Sequence, residues 1–260
     1  MPFLTPQKTD YTSDMRVAVA ALAAVAAAGC ASKKTWFTDG FFSSWDDRRV
    51  LCSMGADRTH SWPLSDLYDA VDRVVANREV MHTYGHAPGL DLAEYLPVFQ
   101  YAHDRGVDFV TYTELVDRSH PRAAWAFSID DTEVDTWVTW KDTLRTAAVP
   151  FTFFVSNWDS YTDAQLAELA DLAADGHDIE AHGMNHLDAS TYAAGPTAYF
   201  DDEVAPELAK LGAAGFPVST FAYPFGAHTV DTNAPILDAV PLVRLATSRW
   251  CYADDPAGRM

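Results

Sequence analysis

The sequence predicts an α/β fold, a single (β/α) barrel of about seven parallel strands. Three observations point there. From Arg49 onward, short apolar strand-like runs alternate with helix-like runs, the rhythm of parallel strands with helices packed outside. The 260 residues, 48% of them hydrophobic, suffice for one large domain of this kind. Polar clusters follow several predicted strands, and in a barrel the carboxyl ends of the strands share one rim.

Strands are predicted at 49–53, 79–84, 107–111, 123–129, 151–155, 178–181, 219–222 and 242–246. Helical patterns lie near 64–76, 92–104, 133–147, 163–175, 199–211 and 233–239. The clearest helix is 163–175, where Leu166, Leu169, Leu172 and Ala173 recur at helical spacing. Thr162 and Gln165 form a capping box before it, and Gly176 ends it. Residues 31–48 hold Trp36, Phe37, Phe41, Phe42 and Trp45 but no recognisable element.

Acidic residues outnumber basic ones, 37 to 18, for a net charge of −19. That balance repels phosphate backbones and anionic lipid, so nucleic acid is not a partner. The front of the chain reads Met15-Arg16, then an apolar Ala-rich run over 17–28, then Gly29-Cys30. A basic residue, a short apolar stretch and small residues make an export signal, too short for a stable spanning helix. Ala28-Gly29-Cys30 resembles a bacterial lipobox, with Ala27 where Leu is usual. Residues 1–30 therefore read as an upstream extension followed by a signal with lipidation at Cys30. The expected location is the bacterial envelope as a lipid-anchored protein, otherwise the periplasm or the medium. Lipidation of Cys30 leaves Cys52 and Cys251, an even pair that an oxidising compartment would join as a disulfide.

Four clusters carry the chemistry. Asp130-Asp131 follows an apolar strand, where one carboxylate can ligate a metal while its neighbour stays free as a base. In isolation such a pair more often caps a helix. His182 and His186, four residues apart, can reach one ion from a single helical turn, although many such pairs are plain surface residues. Phe221-Ala222-Tyr223-Pro224-Phe225-Gly226 looks like a tight turn presenting backbone groups. His82, Tyr84 and His86 share a face if their strand continues.

Residues 123–250 resemble the core of the polysaccharide deacetylase family of chitin, peptidoglycan and xylan deacetylases. Gly176-His177-Asp178-Ile179-Glu180-Ala181-His182, followed by His186, is similar to the family's metal motif, and 221–226 to its third motif. Val149 to Val155 is similar to its second strand. The family's last strands and catalytic His are absent after residue 250, but residues 49–118 resemble them, with Tyr84-Gly85-His86 at a strand end. The resemblance implies a distorted barrel over 49–260 that is circularly permuted, its 49–118 part equivalent to the family's C-terminal portion. Permutation predicts that strand 79–84 joins the same barrel as strand 123–129, with His86 facing the metal.

The resemblance further implies that Asp131, His182 and His186 hold a divalent metal, zinc above all, with cobalt or another divalent ion as alternatives. Asp130 would be the general base and His86 the acid. Tyr223, Pro224 and Phe225 would meet substrate, with the Phe225 N–H at the oxyanion. Ala222 stands where the family often carries a base-orienting Arg, and Arg244 is the candidate replacement. Gly183 stands where Ser or Thr is frequent. The implied activity is removal of acetyl groups from an N- or O-acetylated polysaccharide by a monomer. Two other readings stay open: a catalytically weak sugar-binding lipoprotein, and a metal amidohydrolase acting on a non-sugar amide.

Overall fold

The computed structural model describes residues 39–57 and 63–246. Nine strands and seven α-helices follow one another as β1 (Phe42–Ser43), β2 (Val50–Gly55), α1 (Ser65–Asn77), β3 (Val80–His86), α2 (Leu92–Asp104), β4 (Asp108–Val110), β5 (Ala124–Asp131), α3 (Val134–Ala147), β6 (Thr152–Val155), α4 (Asp163–Ala174), β7 (Asp178–Ala181), α5 (Pro196–Tyr199), α6 (Ala205–Ala213), β8 (Thr220–Ala222), α7 (Val230–Ala239) and β9 (Leu242–Ala246). Among these described residues no helix is long and apolar enough to cross a membrane.

Seven parallel strands close into a barrel in the order β2, β3, β5, β6, β7, β8, β9, with β9 pairing back onto β2. The closure runs through the pairing of β3 with β5, which extends from Val80↔Ala124 to His86↔Asp130. The permuted arrangement predicted that pairing, and it brings the front of the chain to the strand that carries the two aspartates.

Strand β5 shows how the sequence divides the interior. Its alternate residues Trp125, Phe127 and Ile129 join the large apolar layer between strands and helices. Ala124 and Ala126 belong to a separate, smaller cluster with Tyr112, Phe154 and Ala222. The period-two alternation therefore puts Ser128 and Asp130 on the small-residue face, inside the barrel. The outer layer is aromatic: Phe127 stacks on Phe151 at 4.7 Å and Trp137 on Phe153 at 4.9 Å between ring centroids.

Three elements differ from expectation. Strand 107–111 is not a barrel stave: β4 is three residues long and pairs only with Ala124–Ala126, while β6 takes Ser128–Asp131. Such a short strand fills the splay between two staves and stops where the Tyr112 amide donates to Thr152 Oγ1 at 3.0 Å. Helix 199–211 begins earlier, with Pro at its first turn in α5, and passes through a π-helical turn over Phe200–Val204 before α6. Helix α7 begins at Val230, three residues ahead of the prediction, because Thr229 and Thr232 form a capping box. Helix α4 starts as predicted, with Thr162 and Gln165 bonding reciprocally.

Within residues 31–48, β1 pairs antiparallel with the start of β3. Cys52 is buried on β2 and disulfide-bonded; Cys251, its predicted partner, lies outside the described residues, as do Cys30 and the whole of 1–30.

Candidate active site

Asp131 ends β5 with φ of +87°, a conformation that costs an L-residue about 1–3 kcal/mol and persists only where surroundings enforce it. The strained backbone turns its carboxylate toward two imidazoles. Asp131 Oδ1 lies 3.2 Å from His186 Nε2 and 3.7 Å from His182 Nε2. One ligand atom from each of the three falls within 4.8 Å of the others.

Each imidazole is prepared differently. His182 directly follows β7, is buried, and hydrogen-bonds through Nδ1 to the Ala222 carbonyl at 2.8 Å. Nδ1 must therefore carry the hydrogen, which leaves the Nε2 lone pair facing the carboxylates. Burial pushes its pKa down to about 4, so it is neutral and able to ligate. His186 has φ of +56°, and Gly183 before it has φ of +95°. The pair thus sits on an irregular turn and not on the helical turn that the spacing suggested, because the left-handed residues at both ends forbid helix.

These residues fit a metal. Asp131 Oδ1 is buried and makes no hydrogen bond of good geometry. Oxygen and nitrogen ligands about 2.0–2.1 Å from a tetrahedral zinc stand about 3.3 Å from one another, close to the spacings around Oδ1. Burial opposes the charge of Asp131, but His186, His182 and His86 outweigh it and hold the carboxyl below the usual range.

Asp130 lies one residue back, buried, with Oδ2 3.8 Å from His182 Nε2. Its other oxygen, Oδ1, takes Arg244 Nη2 at 2.5 Å. Arg244 is fully buried, its guanidinium 5.1 Å from the Tyr84 ring centroid and 4.9 Å from that of Phe154. On β9 it is in register with Ala222 of β8. Asp130 thus meets a guanidinium that reaches it from the strand next to Ala222.

His86 approaches from the other side of β5, with Nε2 3.9 Å from Asp131 Oδ2. Behind it Asp57 Oδ2 accepts from His86 Nδ1 at 2.6 Å and from the His86 amide at 3.2 Å. That hydrogen bond, with the charges of Asp130 and Asp131 working against burial, raises His86 to about 9. His86 is consequently an imidazolium at neutral pH. His82 does not join it: it is buried, bonded to Ser43 Oγ at 2.8 Å, and held at about 3 by burial and by the charge of Arg48.

Of the three residues expected at the substrate, Tyr223 and Pro224 are buried. The Tyr223 hydroxyl donates to Thr232 Oγ1 at 3.0 Å and its ring packs on Tyr199 and Phe221. Only Phe225 faces out, 68% exposed, with φ of +61° and its ring 4.6 Å from that of His186. Tyr223 and Pro224 position the turn and do not present side chains.

Three residues escaped the sequence reasoning. Asp57 stands just past the end of β2, a carboxylate at a strand end, which was the available signal. Glu203 and Glu207 are four apart and fully buried, and both bond to the turn that carries His186. Acids at helical spacing amid apolar residues could have flagged them, but the pattern is common on exposed helix faces.

Residues 117–239 match the polysaccharide deacetylase family model, a stretch that holds Asp130, Asp131, His182, His186 and Phe225 but not Asp57, His86 or Arg244. No curated protein matches the chain. Among solved structures, the Streptococcus pyogenes deacetylase PplD in complex with acetate superposes with a TM-score of 0.52 at 14% identity, over 76% of this chain and 90% of that one. That likeness shows the fold. IcaB from Ammonifex degensii gives a TM-score of 0.47 at 17% identity, over 82% of this chain and 97% of that one. Residues 117–239, the stretch similar to the polysaccharide deacetylase family, contain the strands and turns that carry Asp130, Asp131, His182 and His186.

Proposed function

We propose that the chain is a metal-dependent hydrolase that removes acetyl groups from an N- or O-acetylated polysaccharide of the cell envelope or its surroundings. The observation that carries this reading is the convergence of Asp131, His182 and His186, flanked on one side by an Arg-held carboxylate and on the other by an Asp-held imidazolium. A divalent ion, zinc above all, would sit at those three residues and supply a Lewis acid that polarises the acetyl carbonyl and acidifies water.

The chain's own residues do the rest. Asp130, fixed by Arg244, accepts a proton from the water that attacks the acetyl carbon. The Phe225 N–H, on the turn beside His186, would help hold the oxyanion. His86 donates its Nε2 proton to the departing nitrogen or oxygen as the C–N or C–O bond breaks, giving acetate and a free amine or hydroxyl. Asp57 keeps that imidazole charged and oriented. A sugar-binding module would need neither the Arg244–Asp130 pair nor the Asp57–His86 pair, and this favours an enzyme.

Export and a lipid on Cys30 would put the site beside envelope glycans; mass spectrometry of the mature N-terminus tests that part. Acetate release from acetylated chitooligosaccharides, peptidoglycan and xylan tests the activity. The proposal expects release from at least one polymer, its loss on chelation, and its return with zinc or cobalt. No acetate from any of them, in a protein that holds its metal, would shift the reading to another amide.

A further inference from the structure

The turn over 183–187 that carries His186 contains little to hold itself in place. The position after His182 is Gly183, with no hydroxyl to bond across the turn. The His186 amide bonds back to the Gly183 carbonyl at 3.3 Å, and the turn's other amides point elsewhere. Gly183 N donates to Glu207 Oε2 at 2.6 Å, and Met184 N to the Glu203 carbonyl at 2.9 Å. Asn185 N and Leu187 N donate to Glu203 Oε2 at 2.9 and 3.4 Å, and Asn185 Nδ2 to Glu203 Oε1 at 2.7 Å. Five donors from four residues of the turn thus converge on two side chains and one carbonyl of a single helical stretch.

The helix is built to deliver them. Glu203 lies in the π-helical turn Phe200–Val204 and Glu207 follows on α6, one turn later. Single π turns recur at functional sites. Both carboxylates are fully buried. Isolated buried carboxylates are costly, and the turn's amides offset that cost. The same geometry explains Gly183: a Cβ there would lie 3.2 Å from Pro224 Cγ and 3.4 Å from Glu203 Oε2, at φ of +95°. Because the amides of Gly183, Asn185 and Leu187 face the carboxylates, the turn holds His186 toward Asp131, where Nε2 reaches 3.2 Å.

We infer that Glu203 and Glu207 are positioning residues for the metal site, their paired carboxylates fixing the 183–187 turn from behind so that His186 is held in ligating position. This rests on the metal reading proposed above. The exchange Glu203→Gln keeps the volume but supplies one acceptor oxygen where the carboxylate supplies two. Glu203→Ala removes both.

Metal affinity, measured by competition with a chromophoric chelator in folded protein, is expected to drop up to about ten-fold in Glu203→Gln and about ten- to a hundred-fold in Glu203→Ala. The cobalt absorption spectrum should change in both, and backbone amide exchange over 183–187 should quicken in the metal-free variants. Purely structural carboxylates would lower the melting temperature and leave affinity and spectrum alone. Where Glu203→Ala does not fold, the Glu203→Gln result decides. Affinity within two-fold of wild type together with an unchanged cobalt spectrum would overturn the inference. A wild-type protein that takes up no metal would sink the metal reading and this inference with it, so the two failures are distinguishable.

Discussion

Asp57→Asn tests the assignment of His86 as the acid. In the native site Asp57 accepts two hydrogen bonds from His86, one from the ring and one from the backbone, and the ring bond is the largest cause of its rise to about 9. The asparagine has no charge to stabilise the imidazolium, and burial then favours the neutral ring, so the pKa should fall to about 6.5 or below. A cation held at Asp131 offsets the help that His86 draws from Asp130 and Asp131, so the wild-type value in the loaded enzyme lies between 6.5 and about 9. The sign follows from the role: the protonated ring is the active form, so kcat/KM declines as pH rises through the His86 pKa. With the upper value of about 9 and with 6.5, the protonated fraction at pH 8 is about 0.9 in wild type and about 0.03 in Asp57→Asn, so the loss reaches at most roughly thirty-fold and shrinks as the cation lowers the wild-type value. At pH 6 the fractions differ by less than about two-fold. The assay is kcat/KM for acetate release from pH 5.5 to 9.5. A basic limb that stays in place, or a loss of equal size at pH 6 and pH 8, would refute the coupling.

Arg244→Gln should depress turnover about a hundred-fold, at the lower end of what a well-placed proton acceptor contributes, while metal content by elemental analysis stays at the wild-type level. Unchanged turnover would remove Arg244 from the account. The same variant leaves a buried carboxylate without its charged partner and should lose about 3–5 kcal/mol of unfolding free energy in urea. A loss below about 1 kcal/mol would contradict that argument. At His177, Nδ1 accepts from the Phe151 amide, and burial holds the native pKa at about 4. The unfolded chain binds this proton near 6.5, so the contribution is full above 6.5 and is lost as pH falls toward 4. It amounts to about 2 kcal/mol between pH 7 and pH 5. His177→Gln should lose less stability than wild type over that interval by about this amount, and parallel urea profiles would contradict it.

The site was legible where chemistry repeats in residue types along the chain. Asp130-Asp131 and His182 with His186 were weak signals singly and were joined by the resemblance of 123–250 to the deacetylase family, and His86 by the permuted order that the resemblance of 49–118 implies. The pairing His86↔Asp130 is what that order required. Arg244 was reachable because it sits on the strand beside Ala222, although its burial and its bond to Asp130 needed the fold.

What the sequence hid was mostly long-range support. Asp57 acts on a residue 29 positions away, and a lone acid past a strand carries no mark of its partner. Glu203 bonds 16 to 18 residues back across a π turn that helix periodicity does not anticipate. Strand β4 was assigned correctly as extended, but pattern alone could not tell a wedge from a stave. Tyr223 and Pro224 share a motif with Phe225, yet strand alternation and the tight turn leave only Phe225 outside.

The central claim is spatial: one cation sits among Asp131, His182 and His186, with Asp130 and His86 on either side. Anomalous diffraction at the zinc absorption edge, from crystals of zinc-loaded protein, tests it most directly. The account predicts a single strong peak within about 2.0–2.2 Å of Asp131 Oδ1 and of both Nε2 atoms, with His86 Nε2 directed toward the same space. A peak ligated by other residues, or fully loaded protein with no peak between these three side chains, would contradict it.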